Sequence, residues 1–348
     1  MKTRIAINGF GRIGRVFFRA AWDRPELEIV AINDLAEPDN LAYLLKYDTV
    51  YGKAPFDVSV KTDGERTLFI VHDGTEKVIP ILKQKDPSLL PWRELDVDIA
   101  VEATGVFESY KKAQSHLHAG ARRVVVTAPI KDDPVGLNGA TILLGINEEE
   151  LKVCDISSNA SCTTNANGPV MAILDQTIGI EKAMLNTVHG YTASQALVDN
   201  ADAKDYRRGR AAAQNIVPST TGAASATNKA LKNLTTNFDG IAMRVPVISG
   251  SIVDITFVAR RKTSVEEVNE ILRRAAREER WKKVFAVTDE PLVSSDIIGT
   301  THASIVDLAF TRVVGGDLVK VLAWYDNEMG YVSSLVEHVI VSGSHIRK

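Results

Sequence analysis

Cysteine is scarce in this chain: Cys154 and Cys162 are the only two among 348 residues. Neither belongs to a CxxC pair, and no third or fourth cysteine exists to complete a thiolate metal site. So few cysteines in so long a chain also argue against the disulfide framework of a secreted domain. Long apolar runs are missing as well. None approaches the ~18–20 residues that a membrane helix needs, and the opening MKTRIAINGFGRIGR lacks the apolar core of a signal peptide. Neither sign of charge is in surplus. A net charge of −3 gives no reason to expect nucleic acid or a membrane surface as partner. The one dense basic cluster, Arg207, Arg208 and Arg210, sits among small residues rather than aromatics. That suits a small anion better than a polymer. These absences predict a soluble, cytoplasmic protein.

What is present is ordinary globular composition, 45% hydrophobic and 24% charged. The length makes two domains the natural expectation. In the first third, strand and helix signals alternate. Residues 4–8, 28–33, 97–103 and 123–128 read as strands, and 12–22 and 108–119 as helices. That rhythm predicts a largely parallel sheet with helices on its faces. The second half changes character. Along 251–260, Val253, Ile255 and Phe257 share one face while Asp254 and Thr256 face away, the period of a half-buried antiparallel strand. Ser264 and Glu267 have capping-box spacing ahead of a helical stripe at Val265, Val268, Ile271, Leu272 and Ala275. Further strands are expected near 304–308 and 318–325, and a last helix over about 329–341. The change of pattern falls near 150–162.

Gly9, Gly11 and Gly14 form G-x-G-x-x-G directly after a strand candidate and at the start of a helix. Glycine is required there because the backbone turns tightly and approaches a pyrophosphate, whose charge meets the helix N-terminus. Asp34 ends the second strand about 20 residues further on, where a carboxylate accepts from ribose hydroxyls and repels a 2′-phosphate. NAD is therefore favoured over NADP.

Cys162 lies in SNASCTTNANGP, ahead of VMAILDQTI, which reads as helical beyond Pro169. A cysteine at a helix N-terminus sees the positive end of the dipole, which lowers its pKa. The residues alone leave open whether Cys162 is reactive or a buried structural cysteine. Cys154, in KVCDI, reads as core. Of seven histidines, His116 and His118 fall on a polar helix expected to be exposed, and His338 and His345 lie near the C-terminus. His189 ends an apolar run and opens HGYT, where a strand delivers a side chain to a cleft.

SNASCTTN followed by HGYT resembles the glyceraldehyde-3-phosphate dehydrogenase family. INGFGRIGR, LLKYDTVYG, RRGRAAAQNIVPSTTGAA, MRVP and WYDNEMGY belong to the same pattern, in the same order, from residue 5 to residue 331. The resemblance implies an α/β fold: an N-terminal Rossmann domain, residues 1–161 completed by 327–348, and an α+β catalytic domain with a mainly antiparallel sheet over 162–326. It implies that Cys162 is the nucleophile and His189 its ion-pair partner and base. Thr192 and Arg244 would hold the C3 phosphate of the substrate. Ser161, Thr163, Thr221 and Gly222 would hold the attacking phosphate, with Arg208 near both. Arg12 and Ile13 would join the three glycines at the pyrophosphate. Thr104, Gly105 and Thr127 would line the cleft, Asn327 would hold the nicotinamide carboxamide, and Tyr331 would pack nearby. The family forms homotetramers.

The chain departs from the pattern in places. Ala166 stands where the family usually has a second cysteine, which rules out an intrasite disulfide. Asn167-Gly168 is expected to loosen the start of the helix. Asn200-Ala201 replaces a Gly-Pro or Leu-Pro pair in the 199–206 loop, which the family sets against the neighbouring subunit's cofactor. NADP use therefore stays open beside NAD. Erythrose-4-phosphate dehydrogenase is the alternative, but it typically loses the Thr of HGYT and the Thr-Gly of STTG, and both are kept here.

Overall fold

The computed structural model describes residues 2–64, 66–203, 205–231 and 237–346. They fall into two units. Unit 1 takes the chain up to Ile142, Glu148–Ala160 and everything from Leu335 onward; unit 2 takes Leu143–Asn147 and Ser161–Ser334.

Unit 1 begins with β1 (Thr3–Asn8), α1 (Arg12–Ala21), β2 (Leu27–Asn33) and α2 (Pro38–Lys46). A two-residue hairpin follows, β3 (Tyr47–Asp48) and β4 (Gly52–Lys53), then β5 (Asp57–Asp63), β6 (Arg66–Asp73) and β7 (Thr75–Leu82). It is completed by β8 (Ile99–Glu102), α3 (Tyr110–His118), β9 (Arg123–Val126), β10 (Gly139–Thr141) and β11 (Ile156–Ser158). One sheet runs in the order β10-β11-β9-β8-β1-β2-β7-β6-β5. From β10 to β7 every pairing is parallel. The strands there are short apolar runs buried on both faces, as parallel sheets demand: Ile5, Ala6, Ile7, Ala100, Val101, Val124 and Val125 have no exposure. The antiparallel meander β5–β6–β7 was not anticipated from sequence. β1 pairs with β2 on one side and β8 on the other, so the order reverses there. Ligands of open α/β sheets bind outside the carboxyl ends of strands at such a reversal.

α3 is capped by Ser109, whose hydroxyl accepts from Lys112 N at 3.1 Å. His118 is exposed as expected, but His116 is not: it is fully buried, along with Tyr110 and Ala113. The helix is polar by composition, yet its inward stripe includes a histidine with polar partners inside.

Unit 2 contains α4 (Cys162–Thr177), β12 (Ile180–Gly190), β13 (Val217–Thr220), α5 (Ala223–Ala230), β14 (Phe238–Val245), β15 (Ser251–Ala259), α6 (Val265–Ala275), β16 (Phe285–Thr288), β17 (Ser304–Val314) and β18 (Leu318–Tyr325). The last helix, α7 (Met329–Ser344), starts in unit 2, and its residues from Leu335 belong to unit 1. The sheet order is β13-β14-β12-β15-β18-β17-β16. The sheet is mixed: β12–β14 and β16–β17 are parallel, the other pairings antiparallel. β15 alternates as its sequence predicts, with Val253, Ile255 and Phe257 facing the core beneath α4 and α6. Ser264 caps α6 by accepting from Glu267 N, but the return half of the box is not made by Glu267. Its carboxylate binds Arg261 and Thr263 instead.

α4 starts at Cys162, the helix N-terminus that its sequence suggested, and Pro169 lies inside it. An interior proline costs about 3 kcal/mol of helix stability; burial of Thr163 to Leu174 as one continuous core segment offsets this. Contrary to expectation, Asn167-Gly168 does not loosen the helix. Asn167 Nδ2 donates to Thr163 O at 2.6 Å, and a Cβ on Gly168 would meet Leu143 Cδ1 at 2.9 Å. The glycine is what lets this segment pack so closely.

Candidate active site

In unit 2 the ends of three elements converge. Cys162 is the first residue of α4. Ser161 is its N-cap, with Oγ accepting from Thr164 N at 3.1 Å. Ala160 just before it has φ 54, an uncommon left-handed conformation for alanine that turns the chain sharply into the helix. His189 lies near the end of β12, and the parallel register of β12 and β14 sets Arg244 directly opposite it. Cys162 Sγ is 3.4 Å from His189 Nε2. On the far side of the ring, Nδ1 lies 2.6 Å from the Gly190 carbonyl and 2.5 Å from Arg244 Nη1. Tyr325, fully buried, stands edge-on to the imidazole, with ring centroids 5.9 Å apart. Its hydroxyl bonds Thr187 Oγ1 at 2.7 Å and Thr163 Oγ1 at 3.0 Å.

The residues expected to bind anions also lie in unit 2. Arg208 donates to Ser219 Oγ through Nε and Nη2, at 3.2 and 3.0 Å. Thr192 Oγ1 shares a hydrogen bond with Ser194 Oγ at 2.9 Å. Thr221 Oγ1 accepts from Ala223 N, and Gly222 is the N-cap of α5. Helix N-termini present unpaired N–H groups to anions. The second turns of α4 and α5 are joined by a buried bond from Thr227 Oγ1 to Asn167 Oδ1 at 2.8 Å.

In unit 1 the three glycines divide by role. Gly9 has φ +93, and a Cβ there would lie 2.6 Å from Thr104 N. At Gly14 a Cβ would lie 2.2 Å from the Gly9 carbonyl, so close helix–strand packing demands glycine. At Gly11 a Cβ would meet no protein atom within 4 Å. The position is open, and Gly11, the N-cap of α1, provides no side-chain cap. Ile13 lies in this first turn, half-buried. Arg12 is turned aside: its guanidinium pairs with Asp48 and covers the Tyr51 ring. Burial acts to raise the Asp48 carboxyl, but Arg12 and the Tyr51 and Val50 N–H groups outweigh it and hold it low. Asp34 accepts from Phe10 N at 2.6 Å with one oxygen and from Ala36 N at 2.9 Å with the other. Thr104 and Gly105 follow β8, Gly105 at φ +70, and Thr127 follows β9, its N–H on the Glu102 carbonyl. A dinucleotide fits this donor set. Asn327 and Tyr331 belong to unit 2. Asn327 Oδ1 accepts from Ser251 Oγ at 2.9 Å, and Tyr331 is buried.

Comparison with known proteins bears on both units. Residues 3–110 match the family model "Glyceraldehyde 3-phosphate dehydrogenase, NAD binding domain", and residues 161–327 match the C-terminal domain model of the same enzyme. Among curated proteins, the chain is similar to the glyceraldehyde-3-phosphate dehydrogenase of Thermotoga maritima, 47% identical with 96% of this chain and 97% of that protein covered. It is 44% identical to glyceraldehyde-3-phosphate dehydrogenase 2 of Bacillus subtilis, over 99% of each chain. It is also 42% identical to the Mycobacterium avium protein, over 99% of this chain and all of that one. The chain belongs to the glyceraldehyde-3-phosphate dehydrogenase family. It is thereby an NAD-dependent dehydrogenase, with a Rossmann-type first unit and an α+β second unit.

The electrostatics of this family member differ from the sequence expectation at one point. The position of Cys162 at a helix N-terminus led us to expect a lowered thiol pKa. Burial pushes the thiol up instead; the charge of Arg244 and hydrogen bonds from Thr163 oppose this without overcoming it. Burial, then the Arg244 charge, push the His189 imidazole down to about 3, against the Gly190 carbonyl. Both shifts favour the uncharged forms of the pair. Sequence reasoning missed four supporting residues. Tyr325 backs the pair, Ser219 holds Arg208, and Asn167 and Thr227 link α4 to α5 one turn in. None has a local signature, and each reaches its partner through sheet register or helix packing.

Proposed function

We propose that this chain oxidises glyceraldehyde 3-phosphate and phosphorylates it to 1,3-bisphosphoglycerate, with NAD and inorganic phosphate. The observation that carries the reading is the 3.4 Å approach of Cys162 Sγ to His189 Nε2, with Arg244 in register beside them. With Arg244 drawn onto the substrate phosphate, Nδ1 donates to the Gly190 carbonyl, which leaves Nε2 free to accept. As Sγ bonds to the aldehyde carbon, the thiol proton passes to Nε2. The new oxyanion is stabilised by the Cys162 N–H at the start of α4 and takes that proton to give a thiohemiacetal. Bound NAD+ supplies the acceptor for the hydride. Nε2 takes the hydroxyl proton back as the hydride leaves, and a thioester remains on Cys162. A phosphate oxygen then bonds to the acyl carbon, the C–S bond breaks, and the sulfur is reprotonated.

In this reading Thr192 and Arg244 hold the substrate's C3 phosphate. Ser161, Thr163, Thr221 and Gly222 hold the attacking phosphate, and Arg208 serves both. Arginine suits this because its planar fork donates in pairs. Gly9, Gly11, Ile13 and Gly14 hold the coenzyme pyrophosphate by backbone N–H groups, with Arg12 at the edge. Asp34 takes the ribose, Thr104, Gly105 and Thr127 line the cleft, and Asn327 and Tyr331 serve the nicotinamide. Residues 1–161 with 327–348 act as the coenzyme module and 162–326 as the catalytic module. NADP is a second coenzyme to be tested. We place the enzyme in the cytoplasm, as a homotetramer. The outer face of the unit 2 sheet exposes Met184, Ile241 and Leu318, apolar surface that supports the oligomer.

The deciding assay follows NAD reduction by the purified protein with glyceraldehyde 3-phosphate, with and without phosphate, beside Cys162→Ser. Sustained, phosphate-dependent turnover absent from the variant is the expected result. A single burst that phosphate cannot extend would overturn the attacking-phosphate site. No burst with this aldehyde, but one with erythrose 4-phosphate, would overturn the substrate. Light scattering on the same sample reads the oligomeric state.

A further inference from the structure

Beneath the glycine turn of unit 1 lies a buried polar chain that the reaction above does not use. Asn8, Asn33, Trp92, Glu102 and His116 are all buried. Trp92 Nε1 stands 3.0 Å from His116 Nδ1. An indole N–H only donates, so Nδ1 accepts and the ring hydrogen is on Nε2. Nε2 lies 2.9 Å from Glu102 Oε2, and Asn8 Nδ2 donates to the same oxygen at 2.6 Å. The other oxygen, Oε1, accepts Thr104 N–H at 2.8 Å and the Thr104 hydroxyl. That hydroxyl oxygen itself accepts from Val106 N, which fixes the direction of its hydrogen. Asn33 Nδ2 donates to Asn8 Oδ1 at 2.7 Å, and Gln84 N donates to Asn33 Oδ1 at 2.8 Å. The side-chain bonds therefore run one way, from Trp92 on one side and Asn33 on the other, and end on the Glu102 carboxylate.

This acceptor sits where the coenzyme loops meet. Asn8 and Glu102 are the last residues of β1 and β8, the strands paired at the order reversal. Gly9 follows Asn8 and is packed so closely on the Thr104 backbone that no Cβ fits between them. Any shift of Thr104 is therefore transmitted to the Gly9 turn. We propose that Glu102, oriented by His116 and Trp92, is a positioning residue for the coenzyme: it holds Asn8, Thr104 and, through them, the glycine turn in the arrangement that receives the dinucleotide. The proposal rests on the reading of unit 1 as the NAD site.

Glu102→Gln keeps the shape but turns one acceptor oxygen into an NH2 that faces donors. The full-length enzyme should then bind NAD about tenfold more weakly, which corresponds to 1.4 kcal/mol. At saturating NAD, kcat should stay within about twofold, and KM for aldehyde and phosphate should not move. His116→Gln, whose amide oxygen accepts from Trp92 and whose nitrogen donates to Glu102, should bind NAD almost normally; His116→Leu should not. If Glu102→Gln fails to fold, the two His116 variants carry the test alone. Calorimetric NAD affinity equal to wild type in Glu102→Gln and His116→Leu, with only the melting temperature lowered, would overturn the proposal. So would equal losses in His116→Gln and His116→Leu. Failure of the unmodified protein to bind NAD would instead overturn the coenzyme reading beneath it.

Discussion

Arg244 Nη1 lies 2.5 Å from His189 Nδ1, so the cation assigned to the substrate phosphate also touches the back of the base. A guanidinium only donates, while the Gly190 carbonyl 2.6 Å from the same nitrogen only accepts. One ring nitrogen cannot satisfy both at once. A phosphate that draws Arg244 away leaves Nδ1–H on Gly190 and Nε2 free as a base toward Cys162.

Replacement of Arg244 by leucine should therefore have two separable effects. Loss of a hydrogen bond to a charged group is worth about 1.5–3 kcal/mol, so kcat/KM for glyceraldehyde 3-phosphate should fall about 10- to 100-fold. Glyceraldehyde without the phosphate should be affected far less. Burial is the main cause of the depressed His189 pKa and the Arg244 charge the second. Without that charge the imidazole pKa rises, and the acid limb of kcat/KM should move to higher pH. A pH profile with an unmoved acid limb would count against electrostatic contact between the two.

Much of this was legible in the sequence where the signal is local. GFGRIG after an apolar strand announces a phosphate turn because both glycine demands arise within a few residues of one another. β15 alternates because one of its faces is buried. The pairing of Cys162 with His189 came from family resemblance, and Arg244 meets His189 only through the β12–β14 register, which no spacing reveals. His116 was misjudged for a related reason. A helical histidine among lysines and glutamine looks solvated until the Trp92 and Glu102 that receive it are known. Burial likewise reversed the expected shift of Cys162, because the dipole argument holds for a thiol that stays solvated.

The fingerprint glycines should separate stability from coenzyme binding. In Gly14→Ala the new methyl would lie 2.2 Å from the backbone carbonyl of Gly9, which has no room to yield. Overpacking of this kind costs about 1–3 kcal/mol, seen as a lower urea midpoint with or without NAD. In Gly11→Ala the methyl meets no protein atom, so the apo midpoint should hardly move. NAD affinity should nevertheless fall at least about tenfold, since a methyl there occupies the phosphate's approach. Normal NAD binding by Gly11→Ala would remove the pyrophosphate from that turn.

The Thr227–Asn167 bond, one turn inside each helix, predicts coupling between α4 and α5. Asn167→Ala and Thr227→Val should each destabilise by about 1–2 kcal/mol, and the double variant should lose less than the sum. If the α4 and α5 N-termini cradle the attacking phosphate together, KM for phosphate should rise in both single variants, with KM for NAD unchanged. Strict additivity in a double-mutant cycle would show that the bond does not join the helices energetically.

His338 predicts how the enzyme meets acid. It is fully buried on α7, with Ser157 Oγ 2.8 Å from Nε2 and Asn159 Oδ1 3.0 Å from Nδ1. The Asn159 oxygen accepts Nδ1–H, so Nε2 takes the Ser157 hydroxyl and the ring is neutral. Burial lowers its pKa from 6.5 to about 3. A histidine lowered on folding binds its proton more readily in the unfolded chain. Its stabilisation is therefore complete above pH 6.5 and shrinks as pH falls toward 3. By pH 4.5 the loss from this one group is on the order of 2–3 kcal/mol. His338→Gln removes the titration. The variant should start less stable at pH 8, because its packing changes, but its stability should decline less steeply between pH 6.5 and 4.5. Urea unfolding at a series of pH values measures both slopes. Parallel curves for the two proteins would mean that His338 does not titrate in this range.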